Sequence, residues 1–213
     1  MIPVPSLQRE RTLWERGQLR IVGVDEVGVG SLAGPVVAAA VHIPTHCQII
    51  TGVRDSKTLS AFQRERLFAE ITRQAVAVGI GAASVNEIEQ MNILNATYLA
   101  MQRALARLGR YDHALIDGRK VTNIDLGPHT AIVDGDASSY AIACASIVAK
   151  VMRDRLMKKL ALRFPVYSWE RNAGYATREH LAALRRFGVT PFHRRSYAPV
   201  QAVLSQATTL EMC

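Results

Sequence analysis

The stretch LRIVGVDEVGVGSLAGPVVAAAVHI spans residues 19–43 and contains two apolar runs on either side of a short glycine-rich segment. The first run, residues 19–24, is rich in β-branched side chains and predicts a buried strand that ends at Asp25 and Glu26. The second run, residues 36–43, predicts another strand. Because a parallel pair would need a crossover of about a dozen or more residues, the short connection predicts an antiparallel hairpin.

The rest of the chain mixes helical and strand patterns. Ser60 precedes an amphipathic pattern and predicts a capped helix. The helical period of residues 85–108 is interrupted near Asn92, which indicates one or two helices. The remaining predicted elements are strands at 75–83, 113–116 and 130–133, a long helix from Ala137 to Arg163 that is buried at its start and solvated at its end, and a helix at 177–187. This order predicts an α/β domain with a mixed sheet.

Composition excludes several classes of protein. The 213 residues are 49% hydrophobic and 21% charged, which is typical of a globular protein and not of a disordered chain. No apolar run reaches the roughly 18 residues that would span a bilayer, so we expect a cytoplasmic protein without a membrane segment. The three cysteines are far apart and predict neither a disulfide framework nor a structural zinc site.

The basic residues are unevenly distributed. Residues 150–195 contain 12 basic and 3 acidic side chains, so this region carries +9 while the whole chain carries +8. Such a region is typical of a surface that binds a phosphate-rich partner, most often nucleic acid. A solvated surface of a soluble protein would give the same count, and charge alone leaves both interpretations open.

Four acids lie next to predicted strands: Asp25 and Glu26 after the first, Asp117 after a later one, and Asp136 between the last strand and the long helix. Acids at the ends of strands in one sheet can converge, and clustered carboxylates favour Mg²⁺ or Mn²⁺. Beside a basic region, they suit two-metal cleavage of a phosphodiester. Taken singly, Asp117 is better explained as an ordinary turn residue and Asp136 as a helix cap.

Several blocks of the sequence resemble the ribonuclease HII family, the type 2 ribonucleases H. In family order, the blocks are residues 21–40, Asp55-Ser56-Lys57 with Leu59-Ser60, Ile116-Asp117-Gly118, Gly135-Asp136, residues 145–151, Arg153-Asp154, Gly174-Tyr175, Glu179-His180-Leu181 and residues 193–200. They cover residues 19 to 200. Agreement of several ordered blocks is much stronger evidence than the match of one short motif.

The resemblance implies a ribonuclease H-like fold, with a mixed five-stranded sheet flanked by helices and a helical C-terminal part. We expect a single catalytic domain over residues 1–213, with a core at about 19–163 and a basic helical part at about 164–205. The implied activity is metal-dependent endonucleolytic cleavage on the 5′ side of a ribonucleotide, leaving a 3′-hydroxyl and a 5′-phosphate. The implied substrates are RNA/DNA hybrids and DNA duplexes with embedded ribonucleotides.

The family's functional residues can be carried over to this sequence position by position. The implied metal ligands, for two Mn²⁺ or Mg²⁺ ions, are Asp25, Glu26, Asp117 and Asp136. The implied substrate-binding residues are Gly28, Val29, Gly30, Lys57 for phosphate and Tyr175 for the sugar beside the cleaved bond.

The sequence departs from the family pattern at three places. The glycine loop usually reads Gly-Arg-Gly and here is Gly28-Val29-Gly30, a His-Lys pair before the Gly-Tyr block is replaced by Asn172-Ala173, and the Asn after Asp-Gly is Arg119. Two basic groups near the substrate are therefore missing, while all four acids remain. The tail from residue 201 lacks the aromatic pair of a sliding-clamp-binding peptide, and we expect a monomer.

Two other functions are compatible with parts of the sequence. The glycines at 28, 30 and 34 could form a nucleotide phosphate loop, but such a loop must open a helix, and here a strand pattern follows. A protein that binds hybrids with weak or altered cleavage is the second alternative. Retention of all four acids argues against it, because buried like charges are costly when no metal is held.

Overall fold

The computed structural model describes residues 4–119 and 124–211. The strands are β1 (Ile21–Val27), β2 (Val36–His42), β3 (Ala77–Ala83), β4 (His113–Asp117) and β5 (His129–Ile132). The helices are α1 (Gln8–Glu15), α2 (Ala61–Gln74), α3 (Val85–Ala106), α4 (Tyr140–Arg163), α5 (Trp169–Asn172), α6 (Arg178–Phe187) and α7 (Ala198–Glu211). Single turns of 3₁₀-helix lie at Ser56–Thr58, Gly135–Ala137 and Pro165–Tyr167. None of the helices in this part of the chain is long and apolar enough to span a bilayer.

The five strands form one mixed sheet in the order β3-β2-β1-β4-β5. β1 and β2 are antiparallel, with Val24 opposite Ala40, which confirms the predicted hairpin. β1 and β4 are parallel, with Val24 opposite Ile116, and β4 and β5 are also parallel. The carboxyl ends of β1 and β4 therefore lie at the same edge of the sheet.

Close packing between β1 and α4 fixes that edge. A Cβ atom on Gly23 would lie 2.0 Å from the carbonyl carbon of Ala141, so only glycine lets the helix approach the strand this closely. Residues 141–149 of α4 are all buried, and the helix begins with small and aliphatic side chains that fit against the sheet. The first half of α4 is therefore a rigid support for the residues of β1.

The chain divides into two compact units. The first comprises the described residues of Met1–Val27, Val37–Ala82 and Thr97–Val151 and contains nearly all of the sheet. The second comprises those of Gly28–Val36, Ala83–Ala96 and Met152–Cys213, and one of its apolar clusters surrounds the fully buried Trp169. The predicted single domain over residues 1–213 stays a prediction.

Several predicted boundaries need correction. The long helix begins at Tyr140, and Ala137 belongs to the preceding 3₁₀ turn. The predicted solvated end of this helix includes Arg153, whose side chain is in fact fully buried. The interruption predicted near Asn92 is confirmed, because this residue has a left-handed φ of 68° within α3.

Helix α1 was not among the predicted elements, whereas α5 and α7 begin within the C-terminal part that was predicted to be helical without individual bounds. The residue of α1 that is buried is Glu10, so the helix shows no apolar stripe that a periodicity search could find. The Glu10 carboxylate accepts hydrogen bonds from the Ser139 hydroxyl (2.6 Å) and the Ala141 N–H (2.9 Å). It thereby caps the start of α4 through a contact between distant parts of the chain.

Candidate active site

Three of the predicted acids meet at the edge of the sheet. Asp25 and Glu26 lie within the last three residues of β1, which continues to Val27 and does not end at the acids as predicted. Asp117 is the last residue of β4. One carboxylate oxygen from each of the three lies within 4.8 Å of the others. The parallel pairing of β1 with β4 is what joins acids from distant parts of the sequence.

Hydrogen bonds hold two of these carboxylates in place. Asp25 is 5% exposed, and its Oδ1 accepts from the Glu26 N–H at 2.7 Å. Ser146 of α4 also hydrogen-bonds the Asp25 side chain. Asp117 Oδ1 accepts from the Gly135 N–H at 2.6 Å. These contacts fix the orientation of the acids before any ligand binds.

Asp136 lies beside this group without being part of it. It is buried in the 3₁₀ turn after β5, where its side chain is hydrogen-bonded to Asp55. Burial raises the pKa of Asp136 to about 6, and the charges of Asp55 and Asp117 add to the rise. Asp55 was not among the predicted site residues, although it belongs to one of the matching blocks.

Burial and mutual repulsion raise the pKa values of the clustered acids. Burial raises the pKa of Asp25 well above its ordinary value, and the neighbouring Glu26 and Asp117 charges raise it further. Burial and the Asp117 charge raise the pKa of Glu26 to about 7. The pKa of Asp117 is also raised, mainly by burial. The site therefore holds more negative charge than its surroundings neutralise.

Lys57 supplies part of the missing positive charge. Burial alone would lower the pKa of Lys57, but the surrounding acids raise it above its ordinary value, Asp55 and Asp136 most strongly. The Lys57 backbone N–H donates to Asp55 Oδ1 at 2.9 Å, and the hydroxyl oxygens of Ser56 and Ser146 are hydrogen-bonded at 2.9 Å. Ser146 thus contacts both the Lys57 segment and Asp25. A lysine in this position remains cationic and can bind an anionic substrate.

The donor set fits divalent metal ions. The clustered groups are hard carboxylate oxygens, which Mg²⁺ and Mn²⁺ prefer over nitrogen or sulfur. Burial and, in second place, mutual repulsion raise their pKa values, and a bound cation would stabilise the charged carboxylates against both. Asp25, Glu26 and Asp117 would therefore hold a divalent cation, with Asp136 nearby as a further ligand.

The predicted substrate residues Gly28, Val29, Gly30 and Tyr175 belong to the second unit. Val29 is 38% exposed, while Gly28 is buried with a φ of 96°. Tyr175 is half-buried, and the guanidinium carbon of Arg153 lies 5.6 Å from the centre of its ring. The predicted substrate-binding loop Gly28–Gly30 and the predicted sugar-binding Tyr175 therefore both lie in the second unit, with Val29 exposed and Tyr175 beside Arg153.

Buried histidines hold the backbone of Tyr175. His180 Nδ1 lies 2.9 Å from the Tyr175 carbonyl oxygen, and the His180 and His193 Nε2 atoms are 3.1 Å apart. The Thr190 N–H donates to His193 Nδ1 at 3.0 Å, so the proton of neutral His193 is on Nε2. Burial, together with the nearby His180, lowers the pKa of His193 to about 3. These histidines are therefore neutral structural groups.

Comparison with known protein families and sequences gives a consistent result. The family model described as Ribonuclease HII matches residues 22–200. The chain is 57% identical to Ribonuclease HII of Thermosynechococcus vestitus, over 97% of this chain and 98% of that relative. It is 52% identical to Ribonuclease HII of a Synechococcus species, over 92% of this chain and 90% of the relative.

Solved structures are similar to the fold. The Archaeoglobus fulgidus structure described as a PCNA:RNase HII complex matches with a TM-score of 0.74 and 25% identity, over 84% of this chain and 95% of that one. Bst-RNase HIII in complex with Mn²⁺ matches with a TM-score of 0.74 and 18% identity, over 90% of this chain and 71% of that one. The second likeness shows the fold alone.

Proposed function

Because the chain belongs to the ribonuclease HII family and is an endoribonuclease that acts on RNA/DNA hybrids, we propose that it cuts the phosphodiester on the 5′ side of a ribonucleotide. The products would carry a 3′-hydroxyl and a 5′-phosphate. The same chemistry would act on single ribonucleotides embedded in duplex DNA. The observation that carries this proposal is the convergence of Asp25, Glu26 and Asp117 at one edge of the sheet.

The acids provide the ligands for two Mn²⁺ or Mg²⁺ ions. When bound, such ions activate the attacking water and stabilise the charge on the leaving oxygen. The side chains of Asp25, Glu26, Asp117 and Asp136 would hold the ions, and the hydrogen bonds to Asp25 and Asp117 keep the carboxylates oriented. Bst-RNase HIII, whose fold is similar, is described as a complex with Mn²⁺.

The remaining predicted residues would bind the substrate. Lys57 keeps its positive charge among the acids and would contact a phosphate. Gly28, Val29 and Gly30 would approach the ribose, and the half-buried ring of Tyr175 would pack on a sugar. Glycine permits this close backbone approach, and a 2′-hydroxyl can both donate and accept hydrogen bonds.

The proposal can be tested with a labelled DNA duplex that contains one ribonucleotide. The purified protein should cut it once, 5′ to the ribonucleotide, in Mn²⁺ or Mg²⁺ and not in EDTA. An otherwise identical all-DNA duplex is the control for contaminating nucleases. A cut on the 3′ side of the ribonucleotide, or cleavage that continues in EDTA, would refute the proposal.

Restoring the family's arginine in the glycine loop is expected to strengthen substrate binding. Val29 is exposed, so Val29→Arg should be accommodated and could form a charge-assisted hydrogen bond to phosphate. We expect a lower KM or faster cleavage of the single-ribonucleotide duplex, by up to about tenfold for 1.4 kcal/mol. Val29→Gln is the uncharged control. Unchanged or weaker kinetics in Val29→Arg would mean that another group already makes this contact.

Charge reversal at the end of α6 is expected to reduce the salt dependence of binding. Arg185 and Arg186 are exposed in the last turn of the helix, whereas Arg153 and Arg194 of the same basic region are buried. If both exposed arginines neutralise phosphates, reversal to glutamate should reduce the slope of log K against log salt by about 1.8.

The matched control for this prediction reverses two exposed arginines of α2, Arg66 and Arg73, outside the basic region. Affinity for duplex would be measured by fluorescence anisotropy in EDTA at several salt concentrations. An equal slope in the Arg185/Arg186 variant and the wild type would show that these arginines do not contact the duplex.

A further inference from the structure

Arg194 lies beneath the glycine loop with its guanidinium fully buried. Its Nε donates to the Gly34 carbonyl at 3.1 Å, and one terminal nitrogen donates to the Gly28 and Gly34 carbonyls at 2.7 and 2.9 Å. The other donates to the Val29 carbonyl at 2.7 Å and to the Tyr197 hydroxyl at 3.0 Å. These bonds use every N–H donor of the side chain. Arg194 therefore has no donor left for a phosphate and serves the loop alone.

Tyr197 completes the attachment of the loop. Its hydroxyl accepts from Arg194 and donates to the Val29 carbonyl at 2.7 Å. The Val29 carbonyl thus receives two hydrogen bonds, one from a cation. Because these partners are all backbone or hydroxyl oxygens, the charge of Arg194 remains as a positive field under the loop.

The direction of these carbonyls fixes the direction of the neighbouring amides. In a trans peptide the C=O and the following N–H point in opposite directions, and the chain has no cis peptide among its described residues. The Gly28 and Val29 carbonyls point to the buried guanidinium, so the N–H groups of Val29 and Gly30 point away from it. Both residues are exposed, and neither N–H donates to another group in the part of the chain that the structure describes.

We infer that Arg194 and Tyr197 are positioning residues that hold the Gly28–Gly30 loop with two amide donors directed outward, so that it binds an oxygen of the ribonucleotide. The inference rests on the proposed substrate role of this loop. The ligand chemistry is a hydroxyl or phosphate oxygen, for which paired amides over a buried positive charge are suitable donors. The glycine loop and residues 193–200 lie far apart in the sequence but have a joint role, in which the second segment holds the first in its binding conformation.

A second buried arginine holds the segment that follows the Gly28–Gly30 loop and contacts the loop at Gly28. Arg153 donates to the carbonyls of Ala33, Pro35 and Ala173 at 3.1, 3.0 and 2.8 Å. A Cβ atom on Gly28 would lie 2.1 Å from Arg153 Nε, so the loop rests directly on this side chain. Carbonyls of Gly28, Val29, Ala33, Gly34 and Pro35 therefore all accept from buried guanidinium groups, and the N–H groups of Val29 and Gly30 remain without an acceptor among the described residues.

The milder test is Tyr197→Phe, which removes one hydroxyl from a partly exposed side chain. Tyr111→Phe is the matched control, since it also removes a hydroxyl that donates to a backbone carbonyl, that of Leu126, in the other unit. Arg194→Lys keeps the charge and loses the forked set of donors. Thermal unfolding of each variant identifies any that fail to fold.

Two duplexes that differ by a single 2′-hydroxyl provide the readout. Their affinities are compared in EDTA by anisotropy, and kcat and KM for the ribonucleotide duplex are measured in Mn²⁺. We expect Tyr197→Phe to reduce the affinity ratio between the ribonucleotide and all-DNA duplexes about threefold, and to act on cleavage mainly by raising KM. Folded Arg194→Lys should reduce the same ratio about tenfold, which corresponds to 1.4 kcal/mol. Tyr111→Phe should keep the wild-type preference.

The outcomes separate this inference from the proposed function. If the wild type neither cleaves nor prefers the ribonucleotide duplex, the proposed function fails. If the wild type does both and folded Tyr197→Phe and Arg194→Lys keep its full preference, the positioning role is wrong and the arginine is only structural. A loss of kcat with unchanged KM and preference would also contradict the inference.

Discussion

Replacing Asp25 or Asp117 with asparagine is expected to reduce cleavage of a ribonucleotide-containing duplex by two to three orders of magnitude, while the fold survives. Metal ligation and the stabilisation that it gives are worth several kcal/mol, and each 1.36 kcal/mol corresponds to tenfold in rate. Asparagine keeps the shape of the side chain and one acceptor oxygen for the Glu26 or Gly135 N–H. The same change removes a charge from a repulsive cluster, so metal-free variants should unfold at a higher temperature than the wild type.

Asp134→Asn is the matched control for these variants. Asp134 is exposed, its carboxylate lies outside the clustered group, and its left-handed φ of 52° is a conformation that asparagine tolerates. It should retain nearly full activity. Initial rates in Mn²⁺ and unfolding curves in EDTA would be measured for all three. Wild-type rates in both Asp25→Asn and Asp117→Asn would rule out the acid cluster as the site of chemistry.

The stability of the metal-free protein is expected to fall as pH rises from about 4 to 7. Folding raises the pKa of Glu26 to about 7 and that of Asp136 to about 6, from ordinary values near 4. Between those values the folded state binds more protons than the unfolded state, so the free energy of unfolding decreases with rising pH. Each such group contributes a slope of up to about 1.4 kcal/mol per pH unit within its window.

Metal binding should cancel this decrease, because a cation stabilises the charged carboxylates that protons otherwise neutralise. Urea unfolding would be followed at half-unit pH steps, first in EDTA and then in Mg²⁺. The control is Asp136→Asn, in which the contribution of this group to the slope between about pH 4 and pH 6 should disappear. A flat or rising EDTA profile over this range would contradict the raised pKa values.

The strands of the sheet could be predicted because each is a short run of apolar or β-branched residues. The apolar runs around the glycine segment predicted the β1–β2 hairpin, and Ser60 predicted the capped start of α2, where the structure shows a capping box with Gln63. The mixed five-stranded sheet implied by the family resemblance is confirmed as well. Local periodicity is sufficient where one face of an element meets the core.

What the sequence missed depends on contacts between distant segments. Glu10 is polar yet buried, and Ser139 and Ala141 both hydrogen-bond its Oε1 atom, a partnership that no local pattern signals. Arg153 and Arg194 were included in the count of the basic region. Both side chains are in fact buried, and their guanidinium groups donate to backbone carbonyls. Charge counting alone cannot distinguish an arginine that faces water from one that organises a loop.

The pairing of β1 on its two sides implies an order of events during folding. Its hairpin with β2 closes a short loop, whereas pairing with β4 must bring together segments from opposite halves of the chain, at a larger cost in loop entropy. Asp25 and Glu26 can therefore occupy a formed hairpin before Asp117 arrives, and their repulsion with Asp117 develops only when β4 pairs with β1. Cations that bind the complete cluster act after the folding barrier, so we expect them to slow unfolding far more than they accelerate folding.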